Sequence, residues 1–195
     1  GATVALYGLP RLDLVNSGMT QKIESALGDG KYTGLVKLDP ANAFTLTDPD
    51  AGTNYGGAGG VLTVNGAAIV PTAAGWHRLD VDVNAGTFEI SSYMIGLVGS
   101  ATPNGWDSPD QKMEYDPASG TWSITIDLVD GEIKFRLNDG WAWNLGYNKN
   151  NTGNPNDLFH DGDNIVVTAG NYTITLTITQ PNGPNEAGSC TIVKN

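Results

Sequence analysis

Basic residues, cysteine, histidine and long apolar runs are all scarce in this chain of 195 residues, and each scarcity removes a class of function. There are 10 Lys and Arg against 21 Asp and Glu, a net charge of −11, and no cluster of more than two neighbouring basic residues. A grip on phosphate backbones needs a basic patch, so nucleic acid is excluded as a partner. The single cysteine, Cys190, has no intramolecular disulfide partner and reads as a small buried strand residue within SCTIVK. The only histidines, His77 and His160, stand apart, and no GxSxG, HExxH or metal-type Cys/His spacing occurs. No run approaches the roughly 18 apolar residues of a membrane-crossing helix. No signal peptide precedes Gly1, so the chain reads as a soluble piece trimmed at its start. Long helical periodicity is missing too; the one helix expected is a short one at residues 21–27.

What the chain has instead is glycine, 26 residues of it, and short alternating runs separated by Gly, Asn, Asp and Pro turns. That is the composition of an all-β protein. In TWSITIDL, Trp122, Ile124, Ile126 and Leu128 fall on one face and Thr121, Ser123, Thr125 and Asp127 on the other. After the Asp130-Gly131 turn, EIKFRLND alternates again, with Ile133, Phe135 and Leu137 inward and Lys134, Arg136 and Asn138 outward. The same order of runs occurs in the first half: VALYGL opens, KYTGLVKL and AFTL follow, and AAIVPTAAGWHRLDVDVNAGTFEI matches the closing NIVVTAGNYTITLTITQPNGPNEAGSCTIVK. The repeat implies two domains, 1–92 and 93–195, each a tandem immunoglobulin-like β-sandwich of about seven short strands.

The two copies differ in chemistry. Aligning Phe44 with Phe135 places Ala43 opposite Lys134 and Thr45 opposite Arg136, while Asp50 and Gly52 fall near Trp141 and Trp143. Trp106, Trp141 and Trp143 lie in loops or at a strand end, where large rings left exposed mark a partner. An aromatic face stacks on the C–H face of a pyranose, and nearby Lys, Arg and Asn donate to ring hydroxyls. The alternative is a structural or protein-interaction module whose tryptophans cap the sandwich edges. Trp122, Trp76 and Tyr172 are expected in the core, and Tyr55 and Tyr7 are read as structural. The acidic residues sit mostly in turns, Asp107, Asp110, Asp116, Asp130, Asp139 and Asp157 among them, which is a turn-initiating role. They do not form the paired carboxylates of a glycoside hydrolase. Asp157, Asp161 and Asp163 in DLFHDGDN are a candidate calcium loop that does not fit the EF-hand pattern, so no metal or cofactor is expected.

The order IGLVGSATPNGWD, TWSITIDL, GEIKFRLNDGWAWNLG and NIVVTAGNYTITLTI resembles the SusE and SusF outer-membrane proteins of bacterial starch-utilisation systems. That resemblance covers the second half well and the first in outline. It implies a surface-exposed lipoprotein of tandem β-sandwich modules, anchored by a lipidated cysteine that lies outside this sequence. It also implies non-catalytic binding of starch or maltooligosaccharides, or another neutral polysaccharide, alongside an outer-membrane transporter and glycan-binding partner proteins. By position, Trp106 and Trp141 correspond to the family's aromatic elements and Lys134 or Arg136 to its basic donor, with Trp143, Asn144 and Asn148 as further candidates. The first half lacks the GW turn and both downstream tryptophans, so binding is expected of the second half only.

Overall fold

The structure, a computed structural model, describes residues 8–182 and 185–195. Most of the expected opening strand VALYGL, the candidate contact Tyr7 and residues 183–184 of the PNGPNEAG turn lie outside them. The chain forms two compact units, Gly1–Tyr93 and Met94–Asn195. The first contains β1 (Arg11–Asn16), β2 (Met19–Glu24), β3 (Lys31–Leu38), β4 (Leu46–Thr47), β5 (Asn54–Ala58), β6 (Val61–Val64), β7 (Gly75–Asp82) and β8 (Thr87–Ser92). The second contains β9 (Ile95–Val98), β10 (Gln111–Lys112), β11 (Glu114–Asp116), β12 (Thr121–Leu128) and β13 (Gly131–Leu137). It continues with β14 (Gly140–Tyr147), β15 (Leu158–His160), β16 (Ile165–Val167), β17 (Gly170–Gln180) and β18 (Ala187–Lys194).

Among the described residues there is no helix, so none that could cross a membrane, and the helix expected at residues 21–27 is corrected to strand up to Glu24 and a bend beyond it. Gln21 and Ile23 point inward while Thr20 and Lys22 face solvent, a period of two. They pair with Leu14 and Leu12 of β1 across a two-residue loop, Ser17-Gly18, whose φ angles of 52° and 68° belong to a type I′ turn. The buried Gln21 carboxamide donates to Lys37 O at 2.8 Å and accepts from Lys37 N–H at 2.7 Å, so a polar residue is tolerated in the core.

The first unit is a closed barrel with strand order β1-β2-β3-β7-β8-β6-β5-β4. The second is an open sheet in the order β10-β9-β13-β14-β15-β18-β17-β12-β11, with β16 added to β13. The internal repeat survives at this level: β9, β13, β14, β15, β18, β17 and β12 follow one another as β1, β4, β5, β6, β8, β7 and β3 do. What differs is the element corresponding to β2. In the second unit it is split at Met113, its first part pairing with β9 and its second with β12. All-β architecture with two units is thus what the chain adopts. The first sheet closes into a barrel, and the second runs round the same order of strands with an interruption at a single residue.

The alternating strands place their apolar residues as the pattern requires. Leu12, Leu14, Val36, Leu46 and Leu79 form the first core, and Leu97, Trp122, Phe135, Leu145 and Ile174 the second. Each such side chain taken from water contributes about 1.5–3 kcal/mol. Trp76, Trp122 and Tyr172 are all buried, and Trp122 packs against Tyr115 with centroids 5.0 Å apart. Cys190 is buried on β18, and desolvation pushes its thiol up to about 11. The counterpart of the seven-residue β13 is only the two-residue β4, with Phe44 bridged to Ile69 beside it. At this position the first unit therefore offers a strand too short to carry a pair of side chains placed as Lys134 and Arg136 are.

Candidate functional site

Strand β13 sends Ile133 and Phe135 into the core and Lys134 and Arg136 to the opposite face. The Asn138-Asp139 turn, with φ angles of 52° and 59°, returns the chain as β14. There Leu145 pairs with Phe135 and Asn144 with Arg136, but Gly140 already pairs with Leu137. Residues 141–143 are thus supernumerary and bulge from the ladder. The bulge lays the Trp141 ring over its own hairpin, with the Arg136 guanidinium carbon 4.7 Å and Lys134 Nζ 5.6 Å from its centroid. Trp106, on the loop after β9, stands beside it with centroids 5.9 Å apart and planes inclined at 39°. The two rings remain 36% and 46% exposed, an angled apolar pair at the surface.

Lys134 and Arg136 were expected in solvent, and here the structure corrects the reading: both are buried. Alternation assigned their face correctly, but the bulge and the Trp106 loop fold back over that face. Arg136 Nε and Nη2 donate to the two Asp110 carboxylate oxygens at 2.6 Å each, and Nη2 also reaches Ser108 Oγ at 3.2 Å. Such a bidentate, fully desolvated pair fixes geometry as well as charge. Gly96, opposite Arg136 on β9, makes room for it, since a Cβ there would lie 2.5 Å from Asp110 Cβ. Lys134 donates to Asn144 Oδ1 at 2.6 Å. Burial lowers its pKa, the charges of Asp161 and Asp163 act against that, and Lys149 adds to it.

Asn144 is also buried and joins the parts of the site. Its Nδ2 donates to Trp141 O at 2.9 Å and Asp161 Oδ1 at 2.8 Å, and its N–H donates to Glu186 Oε1 at 3.1 Å. His160 lies between two carboxylates, with Nδ1 on Glu186 and Nε2 3.0 Å from Asp161 Oδ2. The Asn144 hydrogen bond holds the Asp161 carboxyl below its ordinary range; slight burial opposes this, and the charges of His160, Lys134 and Lys149 support it. Asn144 is thus tied to the backbone of Trp141 and to Lys134, Asp161 and Glu186 at once. Trp143, expected at an exposed strand end, is buried, and its Nε1 donates to Pro181 O at 2.8 Å. Asn148 fastens the following loop, donating to Asp157 Oδ1 at 3.2 Å and accepting from Asn150 N–H at 3.0 Å.

Sequence reasoning missed three participants. Asp110 was read as a turn residue and His160 as isolated, and Glu186 lay inside a Pro-Asn-Gly-rich turn. For Asp110 the signal is an unmatched buried charge: Arg136 on a strand face, once covered, requires a carboxylate; His160 and Glu186 meet each other only in the fold. The calcium candidates are engaged separately, Asp157 by Asn148 and Asn151, Asp161 by Asn144 and His160, and Asp163 by Thr152. Among the described residues no group of His, Cys, Asp and Glu is placed to hold a metal ion.

In the first unit Tyr55 packs against the core, and Ala43 and Thr45 offer neither charge nor ring. Two of its depressions, about 350 Å³ beside Tyr32 and Phe88 and about 440 Å³ beside Ile69 and Val70, are lined by no tryptophan. The second unit thus holds the exposed ring pair, a surface suited to stacking on flat apolar ligand faces.

No family model matches the chain, and no curated protein matches it. Among solved structures, SusF from Bacteroides thetaiotaomicron is similar with 14% identity and a TM-score of 0.34 over 94% of this chain. The match covers 48% of the SusF chain, so this chain spans about half of that protein's length.

Proposed function

We propose that the second unit binds a neutral polysaccharide without acting on it chemically. The observation that carries this reading is the Trp106–Trp141 pair, exposed, mutually inclined and held from beneath by Arg136, Lys134 and Asn144. Leaving two indoles at a surface is unfavourable unless a ligand covers them, and fixing their orientation in advance lowers the entropy cost of binding. The sequence resemblance to SusE and SusF supports α-glucan, starch or maltooligosaccharide, as the polysaccharide. On the same ground the protein belongs at the outer-membrane surface, lipid-anchored, where it holds glycan near a transporter and its partner proteins. The first unit, whose single tryptophan, Trp76, is buried, is not assigned glycan binding.

Affinity electrophoresis in starch-containing gels tests this. The parent chain is expected to be retarded by starch, and Trp141→Ala to migrate as it does without starch. Equal migration of the parent with and without starch would overturn the reading.

A further inference from the structure

The Trp106–Trp141 platform has little hydrogen-bonding capacity of its own, because Arg136 is engaged by Asp110 and Ser108 and Lys134 by Asn144 beneath the ring. A sugar stacked there still needs donors and acceptors for its hydroxyls. They occur next to the platform, along the same face of the sheet. Phe135 pairs with Leu145, which sets Gly146 beside Lys134, and Gly146 pairs in turn with Phe159 of β15. Paired residues share a face, so Phe159 projects from the side that carries Lys134 and Trp141. Its ring is 37% exposed on a strand and borders a depression of about 320 Å³ lined by Asn148, Lys149, Asn150, His160 and Asp161.

A bonded path connects the two places. Lys134, under Trp141, binds Asn144, and Asn144 binds Asp161, which lines the depression. Lys149 and Asn150 are exposed at its rim, and the Lys149 charge is felt at both Lys134 and Asp161. From β13 to β15 is two strand spacings, about 10 Å. Gly162 and Asp163 pack over Gly146 between them, so a chain that reaches both places crosses this ridge.

We propose that the Phe159 depression is a second subsite for the same neutral glycan, Phe159 supplying a stacking face and Lys149, Asn150 and Asp161 the hydrogen bonds that the tryptophan pair lacks. This rests on the platform reading given above. The site then selects chains over short oligosaccharides, because only a chain covers both aromatic surfaces.

Isothermal titration calorimetry of the intact chain with maltotriose and maltoheptaose tests it. Phe159→Ala is expected to weaken maltoheptaose binding about five- to tenfold, the scale of one lost aromatic contact, and to leave maltotriose within about twofold of the parent. Lys149→Ala is expected to act in the same direction, and Trp141→Ala to weaken both ligands. Phe159 and Lys149 are surface residues, so unchanged thermal melting is expected of both variants. Should Phe159→Ala and Lys149→Ala both bind maltoheptaose as the parent does while Trp141→Ala loses it, the second subsite is refuted and the platform stands. If the parent binds neither sugar, the platform reading falls and the subsite with it.

Discussion

Arg136 and Asp110 lie at the bottom of the site, with side chains 3% and 0% exposed. Their pairing removes two charges from water, and breaking such a pair by deleting one partner typically costs about 3–5 kcal/mol because the other is left uncompensated. Asp110 is also held in place through its backbone, since its N–H donates to Asp139 Oδ1 at 2.9 Å. Partial burial works against the charged form of Asp139. Hydrogen bonds from Lys112 and Asp110 N–H, with the charges of Lys112 and Arg136, outweigh it and hold the carboxyl below its ordinary range. A carboxylate depressed in the folded state adds stability above its unfolded value, about pH 4, and loses it as pH falls through the folded value. Urea unfolding of the parent is therefore expected to show stability declining below about pH 4, with Asp139→Asn flattening part of that decline. An identical pH profile for the two proteins would remove Asp139 from the acid response. At this scale the sequence was legible where period two sufficed: Trp122, Leu128, Ile133 and Phe135 are where alternation puts them. It was not legible for Asp110, whose partner is 26 residues away and is visible only once the chain has folded back.

The β13–β14 hairpin is the element on which the site depends. A regular two-residue hairpin would have kept Trp141 in the ladder and sent its side chain along the pleat. The three extra residues instead free the ring to lie across Arg136. The Asn138-Asp139 turn did not announce the bulge, because turn chemistry sets how the chain reverses and not how many residues it uses afterwards. Strand β2 shows the converse: MTQKIE mixes charge and apolar residues as a short helix does, and pairing with β1 through the Ser17-Gly18 turn decided the outcome. Strand β9 contributes by what it omits. Gly96→Ala would push a methyl group into Asp110 Cβ, 2.5 Å away, on a fully packed face. The expected result is a loss of roughly 1–3 kcal/mol in denaturant unfolding, with weaker starch retardation as the Arg136–Asp110 cradle shifts beneath Trp141. Unaltered stability and retardation would mean that Asp110 is free to move without consequence.

Over the whole molecule, one order of strands is used twice with different closure. In the first unit β2 is continuous and completes a barrel, whereas in the second its counterpart divides at Met113, and the sheet stays open with β10 and β11 at its two ends. The same opening accommodates the long loop after β9 that carries Trp106 and Asp110, while in the first unit β1 passes to β2 through two residues. Closure and the ring-bearing loop thus exclude one another here: the unit that joins these strands by a tight turn has no residues between them for such a loop. Because each unit has its own apolar core, a fragment of residues 94–195 is expected to unfold cooperatively and to be retarded by starch as the intact chain is, while residues 1–93 migrate unchanged. Retardation is also expected to persist at high salt despite the net charge of −11, since stacking on a neutral ligand is not screened by ions. Retardation of residues 1–93, or loss of it at high salt, would place the glycan contact elsewhere than on Trp106 and Trp141.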